Sequence, residues 1–112
     1  MPTYAIEYRY DDRDARRAEL RAAHRAHLRD LAARGVLLAS GPWAGPPLDG
    51  TALHAPDADE PDAAAGALLL VRAGSPSEAV AALDEDPFWL ERLITARSVR
   101  AWDPVIGPWA EA

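Results

Sequence analysis

Residues 3–42 read TYAIEYRYDDRDARRAELRAAHRAHLRDLAARGVLLASGP, and their hydrophobic period changes twice. Tyr4, Ile6, Tyr8 and Tyr10 alternate with Ala5, Glu7 and Arg9, which is the period of a half-buried strand. The cluster Asp11-Asp12-Arg13-Asp14 stops that strand. It supplies N-cap candidates and acids for the first turn of a helix. From about Arg13 to Arg34 there is neither Gly nor Pro, and Ala, Leu, Arg and Glu dominate, a composition that favours helix. Gly35 stands where a helix C-cap belongs. Val36-Leu37-Leu38-Ala39-Ser40 then reads as a short buried strand, ended by Gly41-Pro42.

Beyond this β-α-β opening, residues 44–66 are rich in Pro, Gly, Asp and Ala and include the acidic run 57–62. They read as a long loop. Ala67 to Ala73 is a third strand. Ser75-Pro76-Ser77-Glu78 starts a second helix, with Ser75 as N-cap, Pro76 first in the helix and Glu78 completing a capping box. That helix ends near Leu83. Asp86 caps, and Pro87 opens, a short helix to about Leu93. Residues 95–102 form the last strand, with Val99 and Trp102 on opposite sides, and Pro104 and Pro108 end regular structure. The order β-α-β-β-α-β predicts one α+β domain over residues 1–112, a ferredoxin-like sandwich with helices on one sheet face. The other face would expose apolar surface, so a homodimer through the sheet faces is expected.

Composition narrows the function. The chain has 112 residues and no Cys, which removes disulfides, thiolate metal sites and a Cys nucleophile. All 12 cations are Arg, and the net charge is −6, a poor match to phosphate backbones or anionic membranes. No apolar run approaches a membrane span, and strand-like sequence begins at Thr3 with no signal peptide before it. A cytoplasmic protein is expected, without nucleic-acid or membrane partners. No Gly-rich phosphate loop or dinucleotide fingerprint points to a cofactor.

The first helix carries the chemical signal. At roughly 100° per residue, Leu20, Leu31, His24 and Leu28 fall on one stripe, with His27 at its edge. A buried imidazole must satisfy two nitrogens. His24 is therefore either a core histidine bonded to a backbone carbonyl or an acid/base group opening into a pocket. Asp86 is the carboxylate best placed to pair with it, and equally an ordinary N-cap. Arg17, Arg21, Arg25 and Arg29 recur every fourth residue and form a ridge. They are a solvated face, a docking strip for the acidic run 57–62, or, through Arg21, a hold on an anionic substrate. Trp43, Trp89 and Tyr8 are candidates either for core or for lining an apolar cavity. His24, His27 and His54 lack a metal-site pattern, and no metal is expected. Ser40 has no nucleophile-elbow pattern around it.

Arg21-x-x-His24, Leu28 and Gly35 to Pro42 resemble the front half of YCII-related (YciI-like) domain proteins. Asp86-Pro87-Phe88 and the closing strand into Ala101-Trp102-Asp103-Pro104 resemble the back half. The resemblance implies a ferredoxin-like fold of the dimeric α+β barrel type and a site in which His24 and Asp86 form a dyad. Dehydrochlorinase activity on chlorinated hydroxyquinones occurs within that family. His27 and the long acidic loop depart from the family pattern.

A carboxylate bonded to one imidazole nitrogen fixes the tautomer and leaves the other nitrogen basic. The expected function is cofactor-free proton transfer, of lyase or isomerase type, on a small organic metabolite, aromatic compounds included. His24 and Asp86 would be catalytic, and Arg21, Ser40 and Gly41 would contact substrate. The alternative is a dimeric module that binds a small molecule without turnover.

Overall fold

The computed structural model describes residues 1–45 and 65–110. The elements run β1 (Thr3–Tyr10), α1 (Asp14–Ala33), β2 (Leu37–Pro42), β3 (Gly66–Arg72), α2 (Pro76–Leu83), α3 (Pro87–Leu90) and β4 (Ile94–Trp102). The four strands form one antiparallel sheet in the order β2-β3-β1-β4. This is the ferredoxin-like α+β sandwich, with β1 central and β2 at an edge.

Register explains which side chains make the core. Tyr4, Ile6 and Tyr8 of β1 stand opposite Val71, Leu69 and Ala67 of β3. These residues are buried with Leu28 and Leu31 of α1 and with Leu83, Phe88 and Leu93. Ile6, Leu31, Leu69, Leu83 and Leu93 are almost fully enclosed, and each contributes about 1.5–3 kcal/mol through burial. Among the described residues no helix packs on the opposite sheet face. By register it presents Leu68 and Leu70 of β3 and Arg100 and Trp102 of β4 beside Ala5 and Glu7. That face is mixed in character, less apolar than the strand pattern predicts, because Glu7 and Arg9 of β1, Arg72 of β3 and Arg100 of β4 share it with the apolar side chains.

The helix boundaries follow local chemistry, with some departures from expectation. No aspartate caps α1: its N-cap is Arg13, without a side-chain cap bond. Asp11 instead accepts from the Arg13 backbone N–H at 3.0 Å. At the other end Gly35 adopts φ +76, and the N–H groups of Gly35 and Val36 donate to the carbonyls of Ala32 and Leu31. This Schellman closure needs the left-handed conformation that glycine adopts without strain. Ser75 caps α2, accepting from the Glu78 N–H at 3.2 Å. The Glu78 carboxylate, however, reaches back to the Gly74 N–H at 2.9 Å and not to the cap residue itself. The strand β2 also runs on through Gly41 and Pro42, which the sequence reading assigns as its stop. At an edge, Pro42 costs no ladder bond on its outer side. The helix α3 ends at Leu90, short of the expected Leu93, with Arg92 at φ 60 turning the chain into β4.

Among the described residues no helix is long and apolar enough to cross a membrane.

Candidate functional site

The segment Asp86-Pro87-Phe88 builds one side of the site. Asp86 is extended, and Pro87 presets the first helical φ. The Asp86 carboxylate caps α3 by accepting from the Phe88 N–H at 3.0 Å. That geometry also aims the carboxylate at α1. His24 Nδ1 lies 2.8 Å from Asp86 Oδ1 and 2.7 Å from Oδ2, across 62 residues of sequence. Asp86 is 0% exposed and His24 9%, so this contact is dry and its hydrogen bond strong. The imidazole lies on the Phe88 ring, centroids 3.9 Å apart and planes within 4°. Three consecutive residues thus fix the histidine by its nitrogen and by its face.

A carboxylate only accepts here, so Nδ1 carries the proton and donates. His24 Nε2 is left without a partner among the described residues and belongs to the wall of a cavity of about 390 Å³. The cavity lies between α1 and β2. Its apolar wall includes Leu28, Leu37, Leu69 and Phe88, and its polar wall includes Arg21, Ser40 and Gly41. The structure therefore gathers His24, Arg21, Ser40 and Gly41 around one space, with Asp86 directly behind the histidine. A Cβ on Gly41 would meet nothing within 4 Å among the described residues, so their packing does not require glycine there.

Tyr10 also lines the cavity, edge-on to Phe88 at 5.5 Å. Burial pushes its hydroxyl pKa up to about 12; the nearby Asp86 charge adds to this, while Arg17 and Arg21 oppose it. The phenol is thus a neutral donor at physiological pH. Tyr8, beneath the same region, is pushed up further by burial and by Asp86. The sequence places Tyr10 on the buried face of its strand and Phe88 in the Asp-Pro-Phe motif; neither reading puts them at a cavity, whose wall both join.

Other expectations resolve differently. Trp43, Trp89 and Tyr8 are absent from the cavity wall. Trp89 instead lies under the Arg97 guanidinium at 3.6 Å, and Arg97 pairs with Asp84 at 2.9 Å. His27 Nε2 sits 3.1 Å from the Ala82 carbonyl, the bond of a structural histidine tying α1 to α2. Among the described residues no three His, Asp or Glu side chains converge as metal ligands. His54 and the acidic run 57–62, with its suggested docking on the arginine ridge, lie outside the described residues.

Fold and site together define a class: a ferredoxin-like α+β protein with a histidine–aspartate contact at the wall of a small-molecule-sized cavity. The chain belongs to the YCII-related domain family, whose family model matches residues 1–103. A solved structure, 5-chloro-2-hydroxyhydroquinone dehydrochlorinase from Burkholderia phenoliruptrix AC1100 in complex with 2,5-dihydroxybenzoquinone, is similar to it. The similarity covers 90% of this chain and 93% of the other, with TM-score 0.63 and 24% identity. At that identity the likeness is one of fold. No curated protein sequence matches the chain.

Proposed function

We propose that this protein is a cofactor-free enzyme of lyase or isomerase type that moves a proton on a small organic, aromatic substrate. The observation that carries the reading is the buried His24–Asp86 contact beside the cavity, at 2.7 Å. With Nδ1–H donating to Asp86, the lone pair at Nε2 is the base. Proton uptake creates an imidazolium, which the carboxylate stabilises without needing to accept the proton itself. The same nitrogen then returns the proton, to a different atom or to a departing group. Arg21 and Ser40 orient the substrate, and the Gly41 backbone borders it. Phe88 and Tyr10, with Leu28, Leu37 and Leu69, give the cavity an apolar wall suited to a ring. The quinone in the similar dehydrochlorinase structure supports the same substrate class.

The active form in this reading is a homodimer joined through the helix-free sheet faces. The support is the partly apolar strip of Leu68, Leu70 and Trp102 on a face that carries no helix.

The test is solvent-deuterium exchange into a panel of hydroxylated and chlorinated aromatics, followed by NMR. Exchange or elimination that disappears in His24→Ala, with ligand binding retained, supports the reading. Binding to the wild type without exchange or elimination across the panel would replace it with the non-catalytic binding module.

A further inference from the structure

The arginine ridge of α1 is asymmetric. Arg17, at its N-terminal end, is 5% exposed and already neutralised. It donates to the Asp11 carbonyl at 2.5 Å and to the Asp11 carboxylate at 3.2 Å, and it pairs with Asp14. Its guanidinium also lies over the Tyr10 ring at 5.0 Å. Arg21, Arg25 and Arg29 have no hydrogen-bond or ion-pair partner among the described residues. All three line the cavity, and no acidic side chain among the described residues does. Like charges at this spacing repel each other mildly, and no described acidic side chain pairs with them. The row is directional as well: it starts at Arg21, one turn before His24, and continues along the cavity for two further turns to Arg29, next to Leu28.

We infer that Arg25 and Arg29 form an anion subsite, so that the substrate is an organic anion. Its reacting ring lies at the Nε2 edge of His24, and its carboxylate or phosphate group bridges these two guanidiniums. Their backbones stand about 6 Å apart along the helix axis, a span that two flexible arginine forks close around one anionic group. The inference rests on the proposed catalytic site for the position of the ring, and it adds the charge of the substrate and the residues that read it. Among the described residues these three cations have no counter-charge, and an anionic substrate supplies one. With an anion bound they also offset its repulsion by the Asp86 carboxylate behind the histidine.

The test needs no turnover. Naphthoate, naphthyl phosphate and neutral methyl naphthoate are titrated into the 15N-labelled protein, and the Phe88 and Gly41 amide shifts are followed. At least one anion is expected to bind saturably and more tightly than the ester, with affinity falling as salt rises. The preferred arm separates a carboxylate from a phosphate ligand. Arg25→Gln and Arg29→Gln should each raise the anion Kd about three- to fivefold, as exposed ion pairs do, and leave the ester unaffected. Arg34→Gln, an equal charge change on a side chain paired with Asp30 outside the cavity, should leave both unchanged. Equal binding of ester and anions would overturn the subsite. So would equal effects of Arg34→Gln and Arg25→Gln, or no saturable anion binding in the millimolar range. Each of these leaves the His24 exchange experiment untouched, so failure of the subsite and failure of the dyad are told apart.

Discussion

Replacing Asp86 tests two jobs at once, and a mutant cycle separates them. The carboxylate is 0% exposed and receives three contacts, two from His24 Nδ1 and one from the Phe88 N–H. His24→Leu removes the imidazole and leaves a buried carboxylate unpaired, which costs about 3–5 kcal/mol. Asp86→Ser keeps a cap oxygen for Phe88 but loses the charge-assisted bond, a loss of about 1.5–3 kcal/mol. Asp86→Ala loses the cap too, and should fall about 1 kcal/mol further. In His24→Leu with Asp86→Ser no buried charge is left stranded, so the double variant should lie close to wild type, more stable than additivity predicts by about 4 kcal/mol or more. Urea denaturation at pH 7 and fixed protein concentration reads all of this as midpoint shifts at constant slope. Additivity within about 0.5 kcal/mol would refute the energetic link between the two side chains. Equal midpoints for Asp86→Ser and Asp86→Ala would refute the capping role.

Three further outcomes are expected. A Cβ at Gly66 would collide with the Tyr8 carbonyl, so Gly66→Ala should lower the urea midpoint markedly, whereas Gly41→Ala should leave it unchanged or raise it, a gain in stability of up to about 1 kcal/mol; the reverse order would contradict the packing. Because Tyr10 has its pKa raised from 10.0 to about 12, the fold favours the neutral phenol. That contribution, up to about 3 kcal/mol, is fully present below pH 10 and lost as pH rises through 12. Tyr10→Phe should flatten this alkaline limb of the urea midpoint, and an unchanged slope would show that the hydroxyl is not buried. Sedimentation should give a dimer that Leu68→Asp dissociates; a wild-type monomer at micromolar concentration would remove the sheet-face interface.

The elements were legible wherever their determinants are local. The alternation of Tyr4, Ile6, Tyr8 and Tyr10, the Gly35 closure and the Ser75-Pro76 start each depend on a few adjacent residues. The His24–Asp86 contact was only half legible. Helical period put His24 on the inward stripe, but the identity of its partner depends on α3 folding back against α1, and no spacing encodes that. Family resemblance supplied the pairing, and the coordinates supply its distance. The cavity was not legible. It exists because the side of α1 bearing Arg21, Arg25 and Arg29 overhangs an edge strand, a fact of sheet order. The ridge itself was plain in the sequence, and its likeness to an ordinary solvated face concealed its position. The two readings of Trp89 stayed open for a similar reason: aromatic character predicts burial in general, not which side of α3 faces the cavity, and Trp89 packs against the core.

The energetics of the pair bear on why it is there at all. Two histidines face inward from α1, and their surroundings differ. His27 donates to a backbone carbonyl, a bond that ties two helices together with no buried charge. His24 is held against a fully enclosed carboxylate, and desolvating that carboxylate costs several kcal/mol that the pairing only offsets. A fold needing only to join α1 to α3 would do as well with apolar side chains in the same volume, since Phe88 already supplies a stacking face and a serine would supply the cap. A structural role alone therefore predicts that His24→Leu with Asp86→Ser is close to wild type in stability and alters nothing else. The catalytic reading predicts the same near-recovery of stability together with complete loss of proton exchange. If the double variant regains stability and still exchanges substrate protons, the base is another group. If it regains stability and exchange is lost, the buried pair is explained by chemistry and not by packing.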